Sequence, residues 1–464
     1  MIMGDGLSLS LFFLLAILRL PTDRLTMIKL LHLSDIHLGS GFAHGRMNPA
    51  TGLNTRLEDF VAVLTRCIDR ALEDPVDLVL FGGDAFPDAT PPPFVQQAFA
   101  QQFCRLSEAG IPTVLLVGNH DQHAQGSGGA SLSIYRTLGV PDVIVGDSLT
   151  THCISTRGGP VQVVTLPWLT RSTLLTRPDT EGLTMTQVNN LLLERLRVAL
   201  EGEVRRLNPD LPTVLLAHAM VDTASFGAER FLAAGRGFTI HMAMLARDCF
   251  DYVALGHVHR HQILCHQPLM AYPGSIERVD FSEEEEDKGY MLVHLQQGQA
   301  EAEFCPLPVR PFKTIRVDLT DTEDPHGQLL QTIQNAAIED AVVRCLYVVR
   351  SDQVDQIGQG EVAAALATAH SYSLQPEIRV QASRSRLPEL GTNHALDPMT
   401  ALETYLHNRS DLEDLSEAMV AAAAALMTDE PDQLDLEHWT HPDDWANHDL
   451  AIEAEDNSQQ LRLL

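Results

Sequence analysis

Seven polar side chains, each where a short apolar run ends, could share one reaction centre. They are Asp35 and His37 in Ser34-Asp35-Ile36-His37, Asp84 after Gly82-Gly83, and Asn119 in Gly118-Asn119-His120-Asp121. His218 after Ala217, and His257 and His259 in Gly256-His257-Val258-His259, complete the set. The alternate spacing of Asp35 and His37, and of His257 and His259, sets each pair on one face of an extended segment. Asp84 follows two glycines, which let a backbone approach an ion closely. Singly, each residue has an ordinary explanation as a buried histidine or a turn aspartate. Together, all at strand ends, they point to a metal site. Two carboxylates, one amide oxygen and four imidazoles without a thiolate suit Mn²⁺, Fe or Zn²⁺ and disfavour copper(I) or an iron–sulfur cluster.

The charge balance gives such ions a task. The 464 residues carry 32 Lys and Arg against 62 Asp and Glu, a formal net charge of −30. That excludes a generally basic nucleic-acid coat. The acid is concentrated late: from Phe312 onward 28 acidic residues face 9 basic ones, and from Ala401 16 face 2. An anionic substrate therefore needs a local positive source. Two divalent ions against Asp35 and Asp84 would leave about +2 there.

The elements that must position these groups follow from the apolar rhythm. Residues 28–34, 76–81, 113–117, 161–166, 213–218, 252–255 and 290–294 are expected as strands, with helices over 56–73 and 93–109. Strands punctuated by helices predict an α/β sandwich whose ligands sit at the carboxyl ends of strands. After Pro311 a smaller α/β unit is expected, with strands at 314–319, 342–349 and 376–381 and helices at 327–337 and 360–370. A turn-rich stretch, 383–393, leads to two further helices at 399–407 and 411–427. On the last, Leu412, Leu415, Met419, Ala422 and Leu426 form one apolar stripe, which packs on its own protein or on a partner. The sequence shows no internal repeat.

The expected domains are a doubtful N-terminal extension at 1–26, a catalytic domain at 27–308, a small α/β cap at 309–392, C-terminal helices at 393–428 and an acidic flexible tail at 429–464. The apolar run 7–18 is shorter than the ~18–20 residues that span a bilayer. It follows Asp5 and no Lys or Arg, so it is expected as neither signal peptide nor anchor, and Met27 is the expected start. Seven cysteines, scattered singly without a CxxC pair, fit a reducing cytoplasm better than a disulfide framework or zinc ribbon.

Asp35-Ile-His37, Gly82-Gly-Asp84, Gly118-Asn-His-Asp121, the strand-end His218 and Gly256-His-Val-His259 resemble the motifs of binuclear calcineurin-like metallophosphoesterases. The stretch Tyr272-Pro-Gly-Ser-Ile-Glu-Arg-Val-Asp-Phe281, then Glu285-Glu-Asp-Lys-Gly-Tyr290, resembles the narrower SbcD-type nuclease subunits. The likeness runs from Met27 to about Leu307 and more loosely through the cap. It implies a four-layer α-β-β-α metallophosphoesterase sandwich with a small α/β capping domain and C-terminal helices.

For the site, the resemblance implies that Asp35, His37, Asp84 and His259 hold one divalent ion. Asp84, Asn119, His218 and His257 would hold the other, with Asp84 bridging and Mn²⁺ the expected metal. The ions would lower the pKa of a water so that hydroxide attacks phosphorus in line. His120 would stabilise developing charge or protonate the leaving oxygen. Asp121 has two readings: it orients that imidazole, or it caps the next segment. Pro87 departs from the family, which usually carries His or Asp there, and Asp88 is the candidate substitute. Arg46, Asn54 and Arg56 are candidate phosphate contacts, Ser275 and Arg278 candidate substrate or supporting residues, and Arg379, Arg384 and Arg386 a basic edge of the cap.

The activity implied is double-strand 3′→5′ exonuclease and single-strand endonuclease action on DNA ends in repair. Its partner would be an SbcC-type coiled-coil ATPase docked on the C-terminal helices, in a heterotetramer built on a homodimer of this chain, with no membrane involved. A stand-alone phosphoesterase acting on a nucleotide or phosphoprotein is the alternative. A non-catalytic scaffold is a third reading, disfavoured by the complete ligand set and His120.

Overall fold

In a computed structural model of the protein, described over residues 27–123, 129–170, 181–225, 227, 239–379, 398–407, 409, 412 and 415–428, the apolar runs become two facing sheets. The first half of the chain forms β1 (Ile28–Leu33), α1 (Thr55–Glu73), β2 (Leu78–Phe81), α2 (Pro93–Glu108), β3 (Thr113–Leu116), α3 (Ser133–Leu138), β4 (Val143–Gly146), β5 (Thr150–Thr156) and β6 (Gly159–Leu166). Then come α4 (Met185–Val204), β7 (Thr213–His218), β8 (Met220–Val221), β9 (Thr239–Ile240), α5 (Met242–Leu245), β10 (Tyr252–Gly256), β11 (Gln262–His266), β12 (Leu269–Tyr272), β13 (Gly289–Gln296) and β14 (Gln299–Pro306).

One sheet has the order β14-β13-β1-β2-β3-β4 and the other β11-β12-β10-β7-β6-β5. β1, β2 and β3 pair in parallel, as do β7 and β10. All six residues of β7 and all four of β2 are buried, as parallel strands covered on both faces require. Leu30, Leu80, Val114, Val163, Leu216 and Ala254 fill the space between the sheets. Phe60 and Leu64 of α1 and Phe99 and Phe103 of α2 cover the first sheet, and Leu196 and Leu200 of α4 cover the second. The four layers are the expected α-β-β-α sandwich.

The smaller unit follows as β15 (Phe312–Asp318), α6 (Pro325–Gln334), β16 (Val342–Arg350), α7 (Gln359–Ala365) and β17 (Ser371–Arg379). Its three strands are parallel, in the order β15-β16-β17. Leu329, Ile333 and Val362 pack from its helices against Ile315, Val343 and Cys345. Arg310 anchors it to α1 with two bonds of 2.7 Å to the Asp59 carboxylate.

Several bounds differ from the sequence expectation. The helix expected to reach His370 ends at Ala365, because His370 N–H donates to Ala341 O and starts the path into β17. That strand begins at Ser371 and not at 376, since Val342 already pairs with Ser371. Helix α4 was not expected at all, although Thr184 and Gln187 form a full capping box at its start.

The contacts divide the chain into two units, residues 1–379 and 380–464. In the second, α8 (Pro398–His407) and α9 (Ser416–Thr428) are the described helices, and Leu415 and Met419 of the apolar stripe are exposed. The expected extension at 1–26, the stretch 383–393 with Arg384 and Arg386, and the tail at 429–464 lie outside the described residues.

Candidate metal centre

The carboxyl ends of β1, β2, β3, β7 and β10 meet across the two sheets and bring all seven candidate ligands together. Nitrogen and oxygen atoms of Asp35, His37 and His259 lie within 4.8 Å of one another, as do those of Asp84, His218 and His257. Asp84 stands between the groups: its Oδ2 is 3.7 Å from His37 Nε2 and 3.3 Å from His218 Nε2. Asn119 Oδ1 lies 2.9 Å from His218 Nε2 and 2.8 Å from His257 Nδ1.

Local backbone strain does the aiming. Asp35, His37, Asp84 and His257 have φ of 51°, 47°, 58° and 105°, a region that side-chain-bearing residues rarely enter. Alternation along an extended segment is therefore not what brings Asp35 and His37 together, which corrects the sequence reading. Each such residue costs about 1–3 kcal/mol and persists only where surroundings over-determine it. Here Asp35 N–H donates to Gly83 O, His37 N–H to Asp84 O, and His257 N–H to both oxygens of Asp35. The loops approach so closely that a Cβ on Gly118 would lie 2.2 Å from Asp84 Oδ1.

The donor set fits cations. His218 Nδ1–H donates to Gly82 O at 2.7 Å, which turns the lone pair of Nε2 toward Asn119 Oδ1, another acceptor. Without an ion, a second proton on the imidazole or a turned Asn119 amide must relieve that opposition. Burial disfavours the proton, but Asp84 and Asp35 push the His218 pKa up to about 9. A divalent ion would take the proton's place. Burial, reinforced by neighbouring imidazoles, holds His37 and His257 well below the ordinary histidine range, so their lone pairs are free to ligate. His257 Nε2 is buried without a hydrogen-bond partner among the described residues. Burial opposes charge on Asp84 as well, yet the His218, His120 and His37 imidazoles hold its carboxyl well below the usual range.

A second layer orients these groups. His259 Nδ1 is 2.7 Å from Glu283 Oε1, whose other oxygen takes the buried Lys288 ammonium at 2.7 Å. Trp168 lies over His257, ring centroids 4.7 Å apart. His120 Nδ1 is 2.7 Å from Pro87 O, so its Nε2 is the free nitrogen. Pro87 lacks a polar side chain but contributes through its carbonyl.

Other expectations change. Asp121 does not orient His120: its buried carboxylate accepts the N–H groups of Asp84, Ala85 and Gly118 at 2.9–3.0 Å and so ties two ligand loops together. Burial and the Asp84 charge push its carboxyl up to about 7 against those three donors. Arg56 is 0% exposed and cannot meet a phosphate; it donates to Asp59 and to Arg278 O. Asn54 caps α1. Ser275 is fully buried and donates to Glu277 O, and the Arg278 side chain donates to three carbonyls, those of Glu283, Glu286 and Arg310. Both side chains are engaged in supporting the backbone, one of the two expected roles. Arg46 and Asp88 are exposed, Asp88 accepting from Thr90. Arg379 pairs with Asp318 at 3.2 Å.

Sequence reasoning missed Glu283, Lys288 and Trp168. Glu283 sits in a run of four glutamates, which resembles a solvated surface. Trp168 follows the end of β6, the same strand-end signal that marked the ligands.

The sequence profile of the calcineurin-like phosphoesterase family matches residues 28–261. The chain belongs to the calcineurin-like phosphoesterase family, which makes it a metallophosphoesterase-type hydrolase with a candidate site for two metals. Among solved structures, it is similar to a Thermus thermophilus protein at 18% identity, covering 60% of this chain and 99% of that one, with a TM-score of 0.35. It is similar to a dimetal phosphatase from Danio rerio at 11% identity, 60% and 99% coverage and a TM-score of 0.34. A purple acid phosphatase from yellow lupin (Lupinus luteus) seeds matches at 12% identity, 60% and 51% coverage and a TM-score of 0.33. Among the described residues, no helix is long and apolar enough to cross a membrane.

Proposed function

We propose that the protein is a metal-dependent DNA nuclease subunit, cutting phosphodiester bonds at DNA ends together with an SbcC-type ATPase. One observation carries this reading. The 272–290 stretch, which resembles nuclease subunits, is also the stretch that backs the metal centre, through Ser275, Glu283 and Lys288. Two divalent ions, Mn²⁺ in this reading, would supply a nucleophile near neutral pH and positive charge for the phosphate. The chain's own residues do the rest. Asp84 stands between the two ion sites, Asp121 holds the loops that carry Asp84 and Asn119, and His120 offers Nε2 as the proton donor to the leaving oxygen.

The test is a nuclease assay of the purified chain with Mn²⁺, with and without the ATPase, comparing wild type with His120→Ala. Expected are ATPase-stimulated degradation of blunt duplexes, nicking of hairpins, and loss of both in the variant. Hydrolysis of bis(p-nitrophenyl) phosphate without any DNA cleavage would favour the second reading, a stand-alone phosphoesterase. Pro87 is the observation on that side, because its side chain can place no DNA strand.

Docking of the ATPase coiled coil is assigned to the C-terminal helices, where Leu415 and Met419 of the apolar stripe are exposed, in a complex with two copies of this chain. Deleting residues from Asp397 onward should abolish copurification with the ATPase and leave metal content unchanged. Survival of the complex would place the docking surface elsewhere.

A further inference from the structure

Between the metal centre and the cap lies one short segment, residues 281–286, whose consecutive side chains face in different directions. Glu283 points inward, with Oε1 2.7 Å from the candidate ligand His259. Its neighbour Glu284 points to the cap, where Oε2 accepts the Thr314 N–H of β15 at 2.9 Å and Oε1 lies 3.6 Å from Lys313 Nζ. Phe281 sits edge-on to Phe312, the first residue of β15, at 4.9 Å, and the Arg344 guanidinium of β16 lies 4.4 Å over the same ring. The segment therefore touches the cap at four residues and a ligand at one.

It is also held rigid from below. Arg278 donates to Glu283 O, Glu286 O and Arg310 O, so one side chain ties the middle and the end of the segment to the residue that leads into the cap. A ring closes behind it. Arg310 donates twice to Asp59, Asp59 accepts from Arg56, and Arg56 donates to Arg278 O. Each arginine in the ring is buried or half-buried, and breaking one link leaves polar groups without partners.

We propose that Glu284 is a positioning residue that ties the seat of the cap to the ion held by Asp35, His37 and His259, acting through Glu283. The coupling is one-sided: among the described residues no hydrogen bond or ion pair joins His218, His257 or Asn119 to the segment, so the other ion should not feel it. Coupling free energies are reciprocal, so filling that ion site should in turn steady β15. The inference rests on the two-ion reading of the site.

The test uses the full chain as wild type, Glu284→Ala and Glu284→Gln. Mn²⁺ is titrated by calorimetry, and amide exchange over Phe312–Asp318 is followed with and without Mn²⁺. Wild type should bind two ions and slow its exchange in β15 when they bind. Glu284→Ala should bind one ion about tenfold more weakly, the lower end for outer residues that hold a ligand, with the other ion unchanged and the exchange response lost. Glu284→Gln retains an acceptor for Thr314 and should behave as wild type, which separates the hydrogen bond from the charge. Two unchanged affinities in Glu284→Ala, or equal weakening of both, would overturn the proposal. Fewer than two ions bound by wild type would instead sink the two-ion reading, and the inference with it.

Discussion

Glu283 Oε1 lies 2.7 Å from His259 Nδ1, with both side chains closed to solvent. Burial opposes the charge on Glu283, but His259 and Lys288 hold its carboxyl well below the usual range. The carboxylate thereby fixes the tautomer and leaves His259 Nε2 facing His37 Nε2 at 3.0 Å. Glu283→Gln keeps the shape and removes the charge. Mn²⁺ affinity at the His259 site should fall about 10–100-fold. Titration showing two wild-type affinities would mean that the imidazole is held by packing alone.

Asp84 stands between the two candidate ion sites, so its loss should differ in kind from the loss of a one-sided ligand. Metal content by mass spectrometry should be two ions per chain in wild type, none in Asp84→Ala, and one in His218→Ala. Hydrolysis of a small phosphodiester should fall at least a hundredfold in both variants, the scale of removing one preorganised charge-stabilising group. One ion retained in Asp84→Ala would show that it is not shared.

Asp121 makes a stability prediction. Its carboxylate accepts three N–H groups of the ligand loops, while an asparagine offers one oxygen and turns an NH₂ toward donors. Asp121→Asn should cost about 2–4 kcal/mol, the cost of leaving one or two buried N–H groups unpaired. Thermal denaturation in EDTA, which removes any contribution from ions, gives the measurement. An unchanged melting temperature would show that the loops stand without it.

The ligands were legible because a polar residue directly after a buried apolar run has few structural reasons to be there, as at Leu33-Ser34-Asp35 and Ala217-His218. The geometry that unites them was not. Positive φ at Asp35, His37, Asp84 and His257 contradicts local propensity and is enforced by bonds between loops far apart in the chain. Strand β5 escaped notice because Ile154 alone of its seven residues is buried, at a sheet edge with no apolar run. Helix α4 escaped because the buried stripe of Val188, Leu192, Leu196 and Leu200 is blurred by further apolar residues, Leu191, Leu193, Val198 and Ala199, off that face. Residue type misled at Arg56, since an arginine at the helix start just after a metal motif suggests a phosphate contact, whereas its neighbours fold it inward.

That last difference gives a paired prediction. Arg56 is buried between Asp59 and Glu277, with Phe60 and Phe312 each 5.2 Å from its guanidinium, and Arg310 shares Asp59 from the cap side. Arg56→Met should leave two carboxylates and the Arg278 carbonyl short of a donor and cost about 3–5 kcal/mol. Its effect on DNA binding should vanish once compared at equal folded fraction. Arg46 lies exposed on the loop before α1, its main chain bonded to Thr55. Arg46→Ala should leave the melting temperature alone. It should weaken DNA binding and lower the slope of log affinity against log salt by about one, as loss of a single phosphate contact does. A salt slope reduced by Arg56→Met at full folding would return the buried arginine to the substrate side, and would require α1 to open when DNA arrives.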